Sequence, residues 1–152
     1  MISIYPLLAA LVANVLAQVL KPVFLYFRTQ KIDIHQCIAC GGFPSSHSST
    51  VSALSLAVGL VDGFDSTLFA VTCVFSFIVI YDAANVRYYA GRNIQLTKQL
   101  ISDLEAMKGL KFNDPIYHER IKSVLGHKYI EILGGVVLGL LVSSIMFELF
   151  KL

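Results

Sequence analysis

Charged side chains are scarce in this chain. Asp, Glu, Lys and Arg make up 14% of its 152 residues, where a soluble domain carries about 25%. That shortage argues against an ordinary water-facing surface. Cysteine is scarce too, and three residues cannot form a disulfide framework. The net charge of +2 supplies no basic stripe of the kind that holds nucleic acid. The start, MISIYPLLAALVANVLAQVL, has no basic n-region and no convincing cleavage site before Lys21. It is therefore expected to stay as a first helix and not to leave as a signal peptide.

Apolar residues are abundant. They make up 56% of the chain and come in long runs. The expected fold class is all-α: a polytopic membrane helical bundle with about four transmembrane helices plus cytoplasmic amphipathic helices. One membrane-embedded domain is expected over residues 1–152, a length that leaves little room for a second.

The first run, Ile2 to Leu20, is interrupted only by Ser3, Tyr5, Asn14 and Gln18. At 1.5 Å per residue it can cross a hydrocarbon core of about 30 Å. Asn14 and Gln18 are four apart and share a face, which in a bilayer turns toward protein. The helix is expected to continue past Pro22 to Arg28. A loop from Thr29 to Phe43 follows. Pro44 and Ser45 or Ser46 then start a second helix that stops at Asp62-Gly63. This span is short for a full crossing. Thr67 to Tyr81 is β-branched and apolar. In a membrane it reads as a helix, because only helices and closed barrels satisfy their backbones there. Asp82, Asn85 and Arg87 are expected at its end. Ile94, Leu96, Leu100, Ile101, Leu104 and Met107 recur at near-helical spacing among charges, so an amphipathic helix packed on the membrane surface or on the other helices is expected there, closed by Gly109. A short helix is expected after Asn113-Asp114-Pro115. Tyr129 to Phe150 reads as the last crossing, with Gly134, Gly135 and Gly139 allowing close helix contact.

Counting crossings brings distant polar residues together. If the first helix ends near Lys21, the second begins on that side, the third returns to it, and the fourth departs from it. Lys21, Arg28, His47, Asp82, Arg87 and His127 then share one membrane face. Eleven of the twelve Lys and Arg residues fall on that side and only Lys151 on the other. By the positive-inside rule that face is cytoplasmic and both termini lie opposite.

The residue types there suit phosphate chemistry. His47 opens a helix within PSSHSS, where free N–H groups and the positive dipole end attract anions. Ser45, Ser46 and Ser48 can add hydroxyl donors. Glu131 follows His127 by four residues, so it can hold one ring nitrogen and leave the other free. That suits a histidine nucleophile. Lys21, Arg28 and Arg87 can neutralise phosphoryl oxygens. Asp82 needs a partner, since a lone carboxylate at a membrane helix is costly. Each residue also has a plainer reading: His47 as a cap, His127 as an interface anchor, Glu131 as a first-turn acid, and the cations as flanking charges. Cys37 and Cys40 form a lone C-x-x-C without a visible four-ligand set, so a structural or incidental role is expected.

These motifs resemble the divergent branch of the type 2 phosphatidic acid phosphatase superfamily, which is related to acid phosphatases and vanadium haloperoxidases. Lys21 to Arg28 matches the lysine, six residues and arginine of its first motif, with Thr29 where proline is usual. Pro44-Ser45-Ser46-His47 matches the second, with serine for glycine. His127 and Glu131 match the end of the third, with glutamate for aspartate. The third motif's arginine would fall at Ile121; Arg87, in YDAANVRYYAG, is the preferred substitute, ahead of Arg120 or Lys122. The resemblance runs from LLAALVANVLAQVLKP to LGHKYIEILGG. It implies a metal-independent, cofactor-free lipid phosphatase. His127 would be the nucleophile, Glu131 its orienting acid and His47 the general acid and base. Phosphatidylglycerophosphate is the first expected substrate, with phosphatidic acid and polyprenyl pyrophosphates as alternatives. A homodimer is expected as a partner arrangement. The expected location is a bacterial inner membrane or an organelle membrane of bacterial descent. A transporter or scramblase, and a non-catalytic lipid-binding subunit with a degenerate site, are the competing classes.

Overall fold

Local chemistry accounts for most of the helix ends in the computed structural model, which describes residues 4–30, 41–108 and 128–149. α1 (Tyr5–Thr29) begins with a proline in its first turn, where a missing N–H costs nothing. It passes through Pro22 and ends at Gln30, whose left-handed backbone sends its N–H to the Tyr26 carbonyl. α2 (Ser46–Asp62) is capped by Ser45, whose side chain accepts from the Ser48 N–H. It stops at Gly63, with φ at 95°. Only glycine takes that conformation readily. Ser66 caps α3 (Thr67–Tyr81) by accepting from the Phe69 N–H, while its hydroxyl donates to the Gly63 carbonyl. α5 (Tyr129–Leu149) starts where the Glu131 carboxylate accepts the Lys128 N–H at 3.2 Å.

α2 is the hub, packed against α1, α3 and α5, and α1 also touches α5. Small residues make this possible. Ala9, Ala13 and Ala17 form a fully buried stripe on α1. Ala13 and Ala53 meet beside Val142, and Ala9 meets Ala57 beside Tyr5. On α5 a side chain at Gly135 would run into the Ser45 carbonyl, and one at Gly139 into the Ser49 carbonyl. Gly135 and Gly139 thus make their close contact with α2, while Gly134 lies against the Phe43 ring.

Interhelical hydrogen bonds complete the packing. Asn14 donates to Thr50 at 2.8 Å, and Ser49 to the Ala13 carbonyl at 3.2 Å. Tyr5 donates to the Ser143 carbonyl at 2.7 Å. Ser76 on α3 meets Ser55 at 2.7 Å and donates to the Val51 carbonyl at 3.1 Å. Asn14 therefore faces protein, as its spacing indicated, and the Gln18 side-chain oxygen is buried as well. The outer faces are apolar: Val15, Val19, Val71, Val74 and Phe77 are all exposed. α1, α5 and the helix running on from α3 are each long and apolar enough to cross a membrane. α2, at 17 residues, falls short of that length.

One expectation needs correcting. The third helix does not end at Asp82, Asn85 and Arg87. Asp82–Val86 forms a π-helical turn that leads directly into α4 (Arg87–Lys108). The Asp82 N–H reaches both the Ile78 and Val79 carbonyls. Ala83 and Ala84 favour helix, and no glycine or proline interrupts before Gly91. The change from apolar to polar composition marks where lipid-compatible sequence ends, and the helix itself continues. Nor does α4 pack broadly on the other described helices: Leu96, Leu100 and Met107 are exposed. The short helix expected after Asn113, the loop holding Cys37 and Cys40, and His127 lie outside the described residues.

Candidate functional site

Contacts between the helices fix which residues lie at the same height. α1 and α2 are antiparallel, with Ala13 beside Ala53 and Asn14 bonded to Thr50. Extending that register brings Lys21 level with the start of α2. α2 and α5 run in the same direction, with Gly135 against Ser45 and Gly139 against Ser49. The start of α5 is pinned there directly, since the Ser45 N–H donates to the Glu131 carbonyl at 2.9 Å. α2 and α3 are antiparallel, with Ser76 bonded to Val51 and Ser55. The same register sets the π turn beginning at Asp82 level with His47. Lys21, Ser45, Ser46, His47, Ser48, Asp82 and Glu131 therefore share one end of the bundle.

Lys21 is only 2% exposed, so its ammonium is held within the protein and is not an ordinary flanking charge. A cation so enclosed needs anionic or polar company. The serines divide into two roles. Ser45 and Ser48 are fully buried, and their hydroxyls lie 3.1 Å apart with Ser48 donating to Ser45. Both belong to the helix cap, which holds the first turn of α2 in place. Ser46 is also buried, and its carbonyl accepts from Thr50 at 2.7 Å. What this end of α2 offers an anion is chiefly its first-turn N–H groups and helix dipole.

His47 is half-buried in that first turn. Successive helical residues turn about 100°, so His47 lies about 160° around α2 from Ser49, which meets α5. Val51, one turn on from His47, faces α3. His47 and the start of α5 therefore lie on opposite sides of the α2 terminus. Asp82 is half-buried in the π turn, a local widening common at functional sites. One Glu131 oxygen serves the α5 cap. Arg28 follows Lys21 by seven residues on the same face of α1, and Arg87 opens α4. Their side chains lie outside the description, as does all of His127.

Sequence reading missed one feature beside this end. An apolar groove of about 370 Å³ opens between α1, the Phe43-Pro44 turn and α5. Its lining is scattered over three segments, so no local pattern announces it.

The fold and its polar end define a small helical integral membrane protein with a buried cation beside an anion-attracting helix terminus. The chain belongs to the Divergent PAP2 family, whose model matches residues 2–142. It is 36% identical over 147 residues to the uncharacterized membrane protein YuiD of Bacillus subtilis (strain 168), with 93% of each chain covered. No solved structure matches it.

Proposed function

We propose that this protein is a membrane lipid phosphatase. It hydrolyses the phosphomonoester of a phospholipid intermediate, phosphatidylglycerophosphate first among the candidates. The observation that carries this reading is the enclosure of Lys21 level with the capped α2 start, with His47 in the first turn. Family membership makes a phosphatase-like role reasonable.

In the proposed reaction a His127 ring nitrogen attacks phosphorus, and a P–N bond forms as the P–O bond to the lipid alcohol breaks. His47 gives its proton to the departing oxygen. Water then attacks the phosphohistidine, His47 takes a proton from it, and the P–N bond breaks to release phosphate. Glu131 orients His127. Lys21, Arg28, Arg87 and the first-turn amides of α2 stabilise the charged oxygens. Asp82 positions the neighbouring cations. Basic residues concentrate on the site side of the sequence, and this favours a cytoplasmic site. A bacterial inner membrane, or an organelle membrane of bacterial descent, would be its setting.

The test is phosphate release from a panel of detergent-solubilised lipid phosphates. Purified wild type should turn over at least one, and His47→Ala and His127→Ala should each lose about 10²-fold or more while staying folded. Lys21→Gln should lose about 10²-fold in kcat/KM. Full activity in His127→Ala would end the mechanism.

A further inference from the structure

The groove beside the polar end has no role in the chemistry above. We infer that it holds one acyl chain of an anionic phosphate-bearing lipid while the phosphate sits at the α2 terminus. This rests on the proposed reading that the polar end takes a phosphate ester.

Three observations lead there. First, the groove is lined by apolar groups from three segments: Leu20 and Phe24 of α1, Phe43 and Pro44, and α5 from Ile130 to Leu141. Its volume of about 370 Å³ lies within the usual range for ligand pockets. Second, it adjoins the polar level at every segment. Leu20 precedes Lys21, Pro44 precedes Ser45, and Ile130 precedes Glu131. A ligand reaching both places needs an anionic head and an apolar tail, in charge complement to the buried Lys21. Third, its length fits one leaflet. Ile130 to Leu141 spans about 16 Å of helix, close to half of a hydrocarbon core of about 30 Å.

The groove is also built with a definite wall. A side chain at Gly134 would collide with the Phe43 ring. That ring stands edge-on to Phe24, with centroids 4.7 Å apart. The aromatic pair thus lies against bare α5 backbone, and the ring's own residue leads through Pro44 into the Ser45 cap. Chain binding and head binding share this wall.

The experiment is photolabelling of the purified full-length protein in liposomes. The probe is a long-chain phosphatidic acid with a diazirine in its acyl chain. Adducts on α5 between Leu133 and Leu141 should exceed those on the lipid-facing side of α3, at Val71 and Val74, severalfold. Unlabelled phosphatidic acid should compete for them and phosphatidylcholine should not. Equal labelling of both faces, or equal competition by both lipids, would mean ordinary boundary lipid and overturn the inference. Val137→Trp and Leu133→Trp fill the groove from half-exposed positions. Both should lose the groove adducts, and both should raise KM for dioleoyl substrate by roughly tenfold and erase any preference over dihexanoyl substrate. Retained groove adducts in both variants, or a dimer that either variant converts to monomers, would also overturn it. If wild type releases no phosphate, the phosphatase reading fails, and the labelling still decides the groove.

Discussion

Along the α2–α5 seam two helices meet with almost no side chain between them, whereas α2 and α3 are joined through a few hydroxyls. Gly135 and Gly139 bring α5 onto the Ser45 and Ser49 carbonyls. On α3 only Ser76 is buried, and the opposite face from Val71 to Ile78 is exposed. The difference shows how the polar end is held. In lipid, apolar side chains gain nothing by leaving solvent, so close packing and hydrogen bonds have to join the helices. The tight seam fixes the start of α5 against the start of α2. The looser one allows α3 to continue through a π turn into α4 with little support.

Breaking the tight seam should have the largest effect. Gly139→Leu drives a side chain into backbone that cannot yield, and overpacking of this kind costs about 1–3 kcal/mol or more. The expected result is loss of monodisperse protein in detergent, read by size-exclusion chromatography. Next comes the cap that ends this seam. Ser45→Ala should destabilise by about 1 kcal/mol, read by thermal unfolding in detergent. The α2–α3 contact should matter less. Ser76→Ala removes two interhelical bonds, each about 0.6 kcal/mol on average, and should lower the unfolding midpoint only slightly. Smallest of all, Leu100→Ser on exposed α4 should stay within about 0.5 kcal/mol. A large loss from Leu100→Ser, or a silent Gly139→Leu, would reverse the comparison.

Much of the layout was legible because membrane helices obey few rules. Length and hydropathy located the α1, α3 and α5 crossings, and Pro44-Ser45 located the start of α2. Crossing parity then indicated which polar residues share an end. What stayed hidden depended on neighbours. The change of composition at Asp82 looks like a helix end, yet Ala83 and Ala84 carry the helix across it. Serine at positions 45 and 48 suggests free donors, yet burial joins the two hydroxyls in a cap. Gly135 and Gly139 announce close contact without naming the partner. Lys21 shows no local sign of being enclosed. The groove draws on three segments that only the fold brings together.

In the proposed reaction a phosphoryl group is held above the α2 terminus, between His47 and the start of α5. Rapid acid-free quenching during turnover of radiolabelled phosphatidylglycerophosphate, followed by peptide mapping, tests this most directly. A phosphohistidine intermediate should appear as an acid-labile, base-stable label on His127 of the wild-type protein. Turnover with no label on His127, or label on another residue, would contradict it.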